Sequence, residues 1–256
     1  MSKLRSNGVM NMPEDVRLNN DSTMPLSLNA TLAQFFFPQR YCLICGCLTG
    51  RPGLCADCES RRRQLQPCSI CAAFVTEEGP CVHCRAETPL FTQARAAWPF
   101  GGAMRDRLHG FKYQEQTWLR RPLALLLTQT CAEYYGHLNF DAVIPTPISP
   151  ARMKKRGYNQ SELLSRLVAA QLRLPHYPDM LSRRMDTLPL AAYNGPERRD
   201  LLRKVFTADS AAAGKTLLVV DDIYTTGATL DACAAALRAA GALEVYGIMA
   251  AAYDAR

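Results

Sequence analysis

No run of this 256-residue chain approaches the roughly 18 apolar residues of a membrane-spanning helix, and its N-terminus lacks the apolar core of a secretory signal. Both absences point to the cytoplasm. Residues 1–29 lack any apolar period and are rich in Asn, Ser, Met and Asp, so they read as a disordered extension in which Met24 is an alternative start. The cysteine-rich segment that follows has few aromatic residues, which leaves it little surface for stacking nucleic-acid bases.

What is present describes a folded protein. At 48% hydrophobic residues the chain can bury a full core, as one large domain or as one large and one small. The net charge of +7 comes partly from short clusters, Arg61-Arg62-Arg63, Lys154-Lys155-Arg156, Arg183-Arg184 and Arg198-Arg199. These suit anionic partners such as phosphates or nucleic acid, and any one of them equally suits a solvated face.

Eight of the eleven cysteines form four C-x-x-C pairs, Cys42/Cys45, Cys55/Cys58, Cys68/Cys71 and Cys81/Cys84, with nine residues between successive pairs. A C-x-x-C turn aims two thiolates at one point, and two such turns complete a tetrahedral zinc site. The metal replaces the core that so short a segment cannot build. Disulfides do not suit a cytoplasmic chain, and a redox motif needs one pair rather than four. An iron-sulfur cluster is the alternative for such ligands, and the spacing leaves open whether sequential or interleaved pairs share an ion. Cys47 and His83 are potential substitutes for a ligand, whereas Cys131 and Cys233 read as buried thiols.

From about residue 90 strands and helices alternate. The patterns predict strands over 91–100, 141–147, 217–220 and 244–250, and helices over 118–135, 161–174 and 229–240. Asn159 or Ser161 caps the second helix, and Gly241 ends the third. The fold class is therefore α/β, a parallel sheet with right-handed crossovers and flanking helices, preceded by a small zinc-binding module over 30–89.

Ligands of such sheets bind beyond the carboxyl ends of the strands, where the stretch LLVVDDIYTTGAT at 217–229 places Asp221 and Asp222. The small, hydroxyl-rich run Thr225, Thr226, Gly227, Ala228 and Thr229 then opens a helix, a natural phosphate cradle. Carboxylates beside such a cradle repel a phosphate unless they serve hydroxyls or a metal, and a sugar phosphate satisfies both. Adjacent strand residues point to opposite faces, so the pair requires a chain that already turns at Asp222. Upstream, Gly214-Lys215-Thr216 imitates a Walker A ending but enters a strand, and Asp209 stands where the first glycine is required, which excludes a P-loop ATPase.

The 217–229 stretch resembles the phosphoribosyl pyrophosphate (PRPP) signature of type I phosphoribosyltransferases. Together with the paired cysteines, Phe111-Lys112-Tyr113, the 141–147 segment, residues 156–160 and Glu197-Arg198-Arg199, it resembles the ComF family of competence-related proteins. That resemblance implies Asp221 and Asp222 on the ribose hydroxyls, Thr225 to Thr229 on the 5-phosphate, and Mg2+ bridging ribose and pyrophosphate. It implies Arg152 in the pyrophosphate loop and a flexible lid over about 183–199. It also implies a place in DNA uptake or in the use of DNA as a nutrient, with single-stranded DNA or the uptake machinery as partners. The sequence departs from the family at Pro145-Thr146-Pro147-Ile148-Ser149 and at Leu190-Ala191. Three functions remain open: transfer of phosphoribosyl to an acceptor; a non-catalytic PRPP or nucleotide sensor or DNA-binding accessory protein; and gluconate uptake, which predicts a membrane or periplasmic signal that the sequence lacks.

Overall fold

The computed structural model describes residues 41–49, 52–183 and 205–254. The N-terminal extension, most of the expected lid and the Leu190-Ala191 departure lie outside them.

The elements, in chain order, are α1 (Ala56–Arg63), α2 (Val82–Ala86), β1 (Gln93–Pro99), α3 (Gly102–Tyr113), α4 (Arg120–Tyr135) and β2 (Ala142–Pro145). There follow α5 (Pro150–Arg156), α6 (Gln160–Leu172), β3 (Leu181–Arg183), β4 (Phe206–Ala208), β5 (Thr216–Tyr224), α7 (Ala228–Ala239) and β6 (Glu244–Ala252). Four strands make one sheet in the order β1-β6-β5-β2, every neighbour parallel. β3 and β4 form a separate antiparallel pair.

β5 is central and covered on both sides, which is why its sequence is an unbroken apolar run. Alternation sends Leu217 and Val219 to one face and Leu218 and Val220 to the other, all fully buried. On the first face β5 packs with Leu230, Cys233, Ala234 and Leu237 of α7 and with β3 and β4. On the second it meets Leu123, Leu126 and Leu127 of α4, Leu164 and Val168 of α6, and Leu108 and Phe111 of α3. Cys131 and Cys233 are buried in these two cores, as expected.

Local chemistry fixes several boundaries. Asn159 caps α6, its side chain accepting from the Ser161 N–H at 3.1 Å and donating to the Thr146 carbonyl at 3.0 Å. Ser149 caps α5, accepting from the Arg152 N–H at 3.3 Å, and Gly157 ends that helix at φ +77°. The Ser149 departure therefore supplies a helix start.

Candidate functional site: an acid and hydroxyl pocket at the end of β5

The two acids stand at the carboxyl end of β5, but the chain does not turn at Asp222 as the sequence reading required. The strand runs on in register to Tyr224, with Asp221 opposite Met249 and Ile223 opposite Ala251. β2 stops earlier, at Pro145 opposite Val220. Beyond that point one side of β5 has no neighbouring strand among the described residues, and side chains from both of its faces reach the same space.

A cavity of about 190 Å³ fills that space, lined by Asp221, Asp222, Thr225, Thr229, Arg152 and, across from them, Lys112, Arg156 and Arg183. Thr226, Gly227 and Ala228 line an adjoining cavity of about 490 Å³ instead, with Thr225 and Tyr253 shared between the two. Of the residues singled out from the sequence, the first cavity thus gathers both acids, the two outer threonines and Arg152.

Each acid has its own partner. Asp221 accepts from the Ser161 hydroxyl at 2.7 Å and from the Asp222 N–H at 2.9 Å. Burial, with the charge of Asp222 adding to it, pushes the Asp221 carboxyl up to about 6 against those two hydrogen bonds and Lys112. Asp222 is buried and ion-paired with the Lys112 ammonium at 2.8 Å. Lys112 carried no assigned role in the sequence reading, because it lies 110 positions before Asp222 and only the fold brings them together.

Two polar atoms in the cavity wall are unusual. Thr146 Oγ1 and Gln160 Nε2 are buried without a hydrogen-bond partner among the described residues. Both residues border the cavity. A buried polar atom without a partner is costly, on the order of 1–3 kcal/mol, unless a ligand or water completes it. Arg156 is already engaged, donating to Gln160 Oε1 and to the Tyr113 hydroxyl, each at 2.9 Å, and lying 4.8 Å from the Tyr113 ring centre. It therefore both anchors the start of α6 and faces the cavity.

The eight paired cysteines form two sets, Cys42, Cys45, Cys55 and Cys58, and Cys68, Cys71, Cys81 and Cys84, the sulfurs of each lying within 4.8 Å of one another. Sequential pairs share a site. The Cys45–Cys55 and Cys71–Cys81 sulfur separations are 3.6 and 3.8 Å. A tetrahedral ion with metal–sulfur bonds of about 2.3 Å requires edges of about 3.8 Å. Each set therefore fits one tetrahedral ion and is too tight for a cage of several irons. Cys47 and His83 stand outside both sets.

The sets differ in setting. Burial would raise the Cys68 thiol, but the N–H groups of Cys71, Cys81 and Ile70 outweigh it and bring the thiol down to about 7. Arg95 of β1 is buried and donates to the carbonyls of Cys68 and Ser69 at 3.0 and 3.1 Å, tying that turn to the sheet. In the first set Cys45 is exposed, and one link to the domain runs through α1, where Arg62 pairs with Glu59 at 2.8 Å and with Glu133 of α4 at 2.7 Å. Arg62 is buried, so this basic cluster is only partly a solvated face.

No family model matches the chain. Competence protein F of Haemophilus influenzae is 27% identical over 200 residues, 75% of this chain and 87% of the relative. Competence protein ComFC of Streptococcus pneumoniae is 28% identical, covering 75% of this chain and 84% of the relative. The chain is thus similar over three quarters of its length to curated competence proteins. DNA utilization protein YhgH of Escherichia coli O157:H7 is 25% identical over 77% of this chain and 88% of its own. Among solved structures, adenine phosphoribosyltransferase matches at 16% identity and TM-score 0.37, covering 56% of this chain and 84% of that one. A glutamine PRPP amidotransferase from B. subtilis complexed with ADP and GMP matches at 19% identity and TM-score 0.39, covering 55% of this chain and 30% of that one. No helix among the described residues is long and apolar enough to cross a membrane.

Proposed function

We propose that this protein binds PRPP in the β5 cavity and works, in the cytoplasm, in the uptake or utilisation of DNA, as its relatives' names suggest. The observation that carries the reading is the cavity itself. It combines two carboxylates, two threonine hydroxyls at the start of a helix, and four basic side chains around about 190 Å³. Acids select sugar hydroxyls, hydroxyls and helix N–H groups select a phosphate, and the basic wall selects a second anionic group. Few ligands other than a sugar carrying phosphates at both ends satisfy all three.

In this reading Asp221 and Asp222 hold the ribose hydroxyls, Thr225 to Thr229 the 5-phosphate, and Arg152 with the unpartnered Thr146 hydroxyl and Gln160 amide the pyrophosphate. The paired carboxylates suit Mg2+, which when bound neutralises pyrophosphate as it leaves the anomeric carbon. Lys112 holds Asp222 in place, and Ser161 orients Asp221. As the C1–oxygen bond breaks, positive charge develops on the sugar beside these carboxylates and negative charge beside Arg152 and Arg156, so the wall favours both. The acceptor that would take the phosphoribosyl group is unassigned. Zinc in the two cysteine sets is structural.

A second reading is favoured by α5, which buries no residue and presents Arg152, Lys154 and Lys155 beside the cavity mouth. There the cavity senses PRPP or a nucleotide while basic surface contacts single-stranded DNA.

Calorimetric titration of zinc-loaded protein with PRPP and Mg2+, beside the Asp221→Asn, Asp222→Asn double variant, tests the site. Binding by the parent and its loss in the double variant is expected; a folded parent that binds no PRPP overturns the reading. Base-dependent release of pyrophosphate then separates transfer from sensing, for which a salt-dependent shift of single-stranded DNA is the mark.

A further inference from the structure

The two cysteine sets have the same spacing, yet only one of them touches the loop that leads into α7. The sulfurs of Cys68, Cys71, Cys81 and Cys84 share a buried core with Phe91, Tyr224 and Leu230. Tyr224 is the last residue of β5 and directly precedes Thr225. Its side chain shares that cluster and the wall of the adjoining cavity with Cys71, the hydroxyl facing the sulfur. The same hydroxyl lies against Gly227, where an added Cβ would come within 2.2 Å of it. Gly227 has φ +79° and forms the N-terminal cap of α7. One side chain therefore packs with the second cysteine set on one side and against the middle of the hydroxyl loop on the other.

Further contacts fix the same relation. Phe91, seven residues after Cys84, packs edge-on against the Tyr224 ring at 6.4 Å. The Leu90 N–H donates to Asp231 in the first turn of α7 at 2.5 Å, and Arg238 near its end donates to the Leu90 carbonyl at 2.6 Å. Phe74, between the second set's two cysteine pairs, bridges to Asp254 just after β6. Among the described residues the first set has no such route, since its neighbours Leu43, Ile44 and Leu54 pack in the core on the opposite face.

We infer that Tyr224 is a positioning residue that couples the second cysteine set to the loop, so that an ion held by Cys68, Cys71, Cys81 and Cys84 keeps Thr225 to Thr229 in its binding shape while the first set has no part in it. A thiolate bound to a metal is a fixed acceptor, and the hydroxyl donating to it cannot swing away from Gly227. With that set empty, the acceptor moves and the loop loses its floor. The consequence for ligand affinity rests on the function proposed above; the coupling itself does not.

The test is amide hydrogen exchange over residues 224–231, with metal content measured in parallel, in the full-length zinc-loaded protein and three variants. Tyr224→Phe deletes the hydroxyl and keeps the ring. It should retain both zinc ions and raise exchange in this segment about tenfold, the loss expected for one hydrogen bond to a charged group. Cys71→Ser should lose one zinc and raise exchange there further. Cys45→Ser should also lose one zinc and leave the segment as protected as in the parent. Unchanged protection in Tyr224→Phe overturns the inference even where Cys71→Ser fails to fold, and so does equal loosening in Cys45→Ser. In parallel, ribose 5-phosphate affinity should fall about tenfold in Tyr224→Phe. Should the parent bind no ribose 5-phosphate while the exchange pattern holds, the proposed function fails and the coupling stands.

Discussion

The two cysteine sets share ligand type, number and spacing, but not surroundings. All four thiols of the second are buried, beneath the sheet face that carries α7, whereas Cys45 of the first is exposed and Cys55 only partly covered. Backbone N–H groups donate to Cys68 from Ile70, Cys71 and Cys81, at 3.4, 3.4 and 3.2 Å. The first set has the same arrangement at Cys42, which faces the N–H groups of Cys55, Cys45 and Ile44, and adds a backbone N–H at Cys55 and a guanidinium from Arg61 at Cys58, at 3.5 and 3.0 Å, so the sets differ in burial rather than in donors. Hydrogen bonds to thiolate orient it and tune its hold on a metal, and burial withholds chelators and oxidants. Identical motifs thus give one site that is part of the core and one that lies nearer the surface beside α1.

The largest effect should separate the two sets by stability. Cys84→Ser removes a ligand whose loss leaves three buried thiols without their ion. It should cost about 4 kcal/mol and lower Tm on the order of 10 °C. Cys45→Ser opens a site already in contact with solvent and should cost about 1–2 kcal/mol. Thermal unfolding of both variants checks the order, and equal losses would erase the distinction drawn here.

Less of this was legible in the sequence than the motifs suggest. β5, α7, the cap at Asn159 and the four C-x-x-C turns follow from short-range pattern, because each is decided within a few residues, whereas which turns share a site was left open. α3 was not foreseen: Gly101-Gly102 obscures its start, and only Met104, Leu108, Gly110 and Phe111 are buried among charged neighbours. α5 has no apolar period at all, since it buries nothing and exists through Ser149, Pro150 and Gly157. The Lys112–Asp222 pair, the Tyr224–Cys71 contact and the assignment of each cysteine set to a sheet face depend on chain crossings that no local pattern records. The straight run of β5 through Asp222 was misread for a related reason. Where β2 ends can be seen only once the strands are paired.

A middle-sized effect comes from Asp221, which follows Leu217 and Val219 on the face that α7 and the second set share. Its folded carboxyl titrates at about 6, above the ordinary value of 3.8. Between those values the native state binds the proton more tightly than the unfolded chain does. The contribution to stability is complete below about pH 4 and lost as pH rises through 6, amounting to about 2–3 kcal/mol. Denaturant titrations from pH 4 to 7 should show this decline in the parent and in Cys45→Ser, and a flatter profile in Asp221→Asn. A decline that persists in Asp221→Asn would assign the titration elsewhere.

The smallest effect is the most selective. Arg62 joins α1 to α4 through Glu133, whose side chain is 37% exposed, while Glu59 keeps Arg63 as a second partner at 3.2 Å. Removing the guanidinium leaves neither carboxylate buried alone, so Arg62→Met should cost only about 1 kcal/mol, the scale of a half-exposed ion pair together with its hydrogen bonds. The methionine retains the apolar stem that packs against α4. What should change is the release of zinc to a chelating dye. The first equivalent should leave faster than in the parent, because α1 carries Cys58 and is now held less firmly, and the second equivalent should leave at the parental rate. An accelerated second equivalent would mean that the two sets communicate through the sheet, and their separation onto opposite faces would then be one of geometry alone.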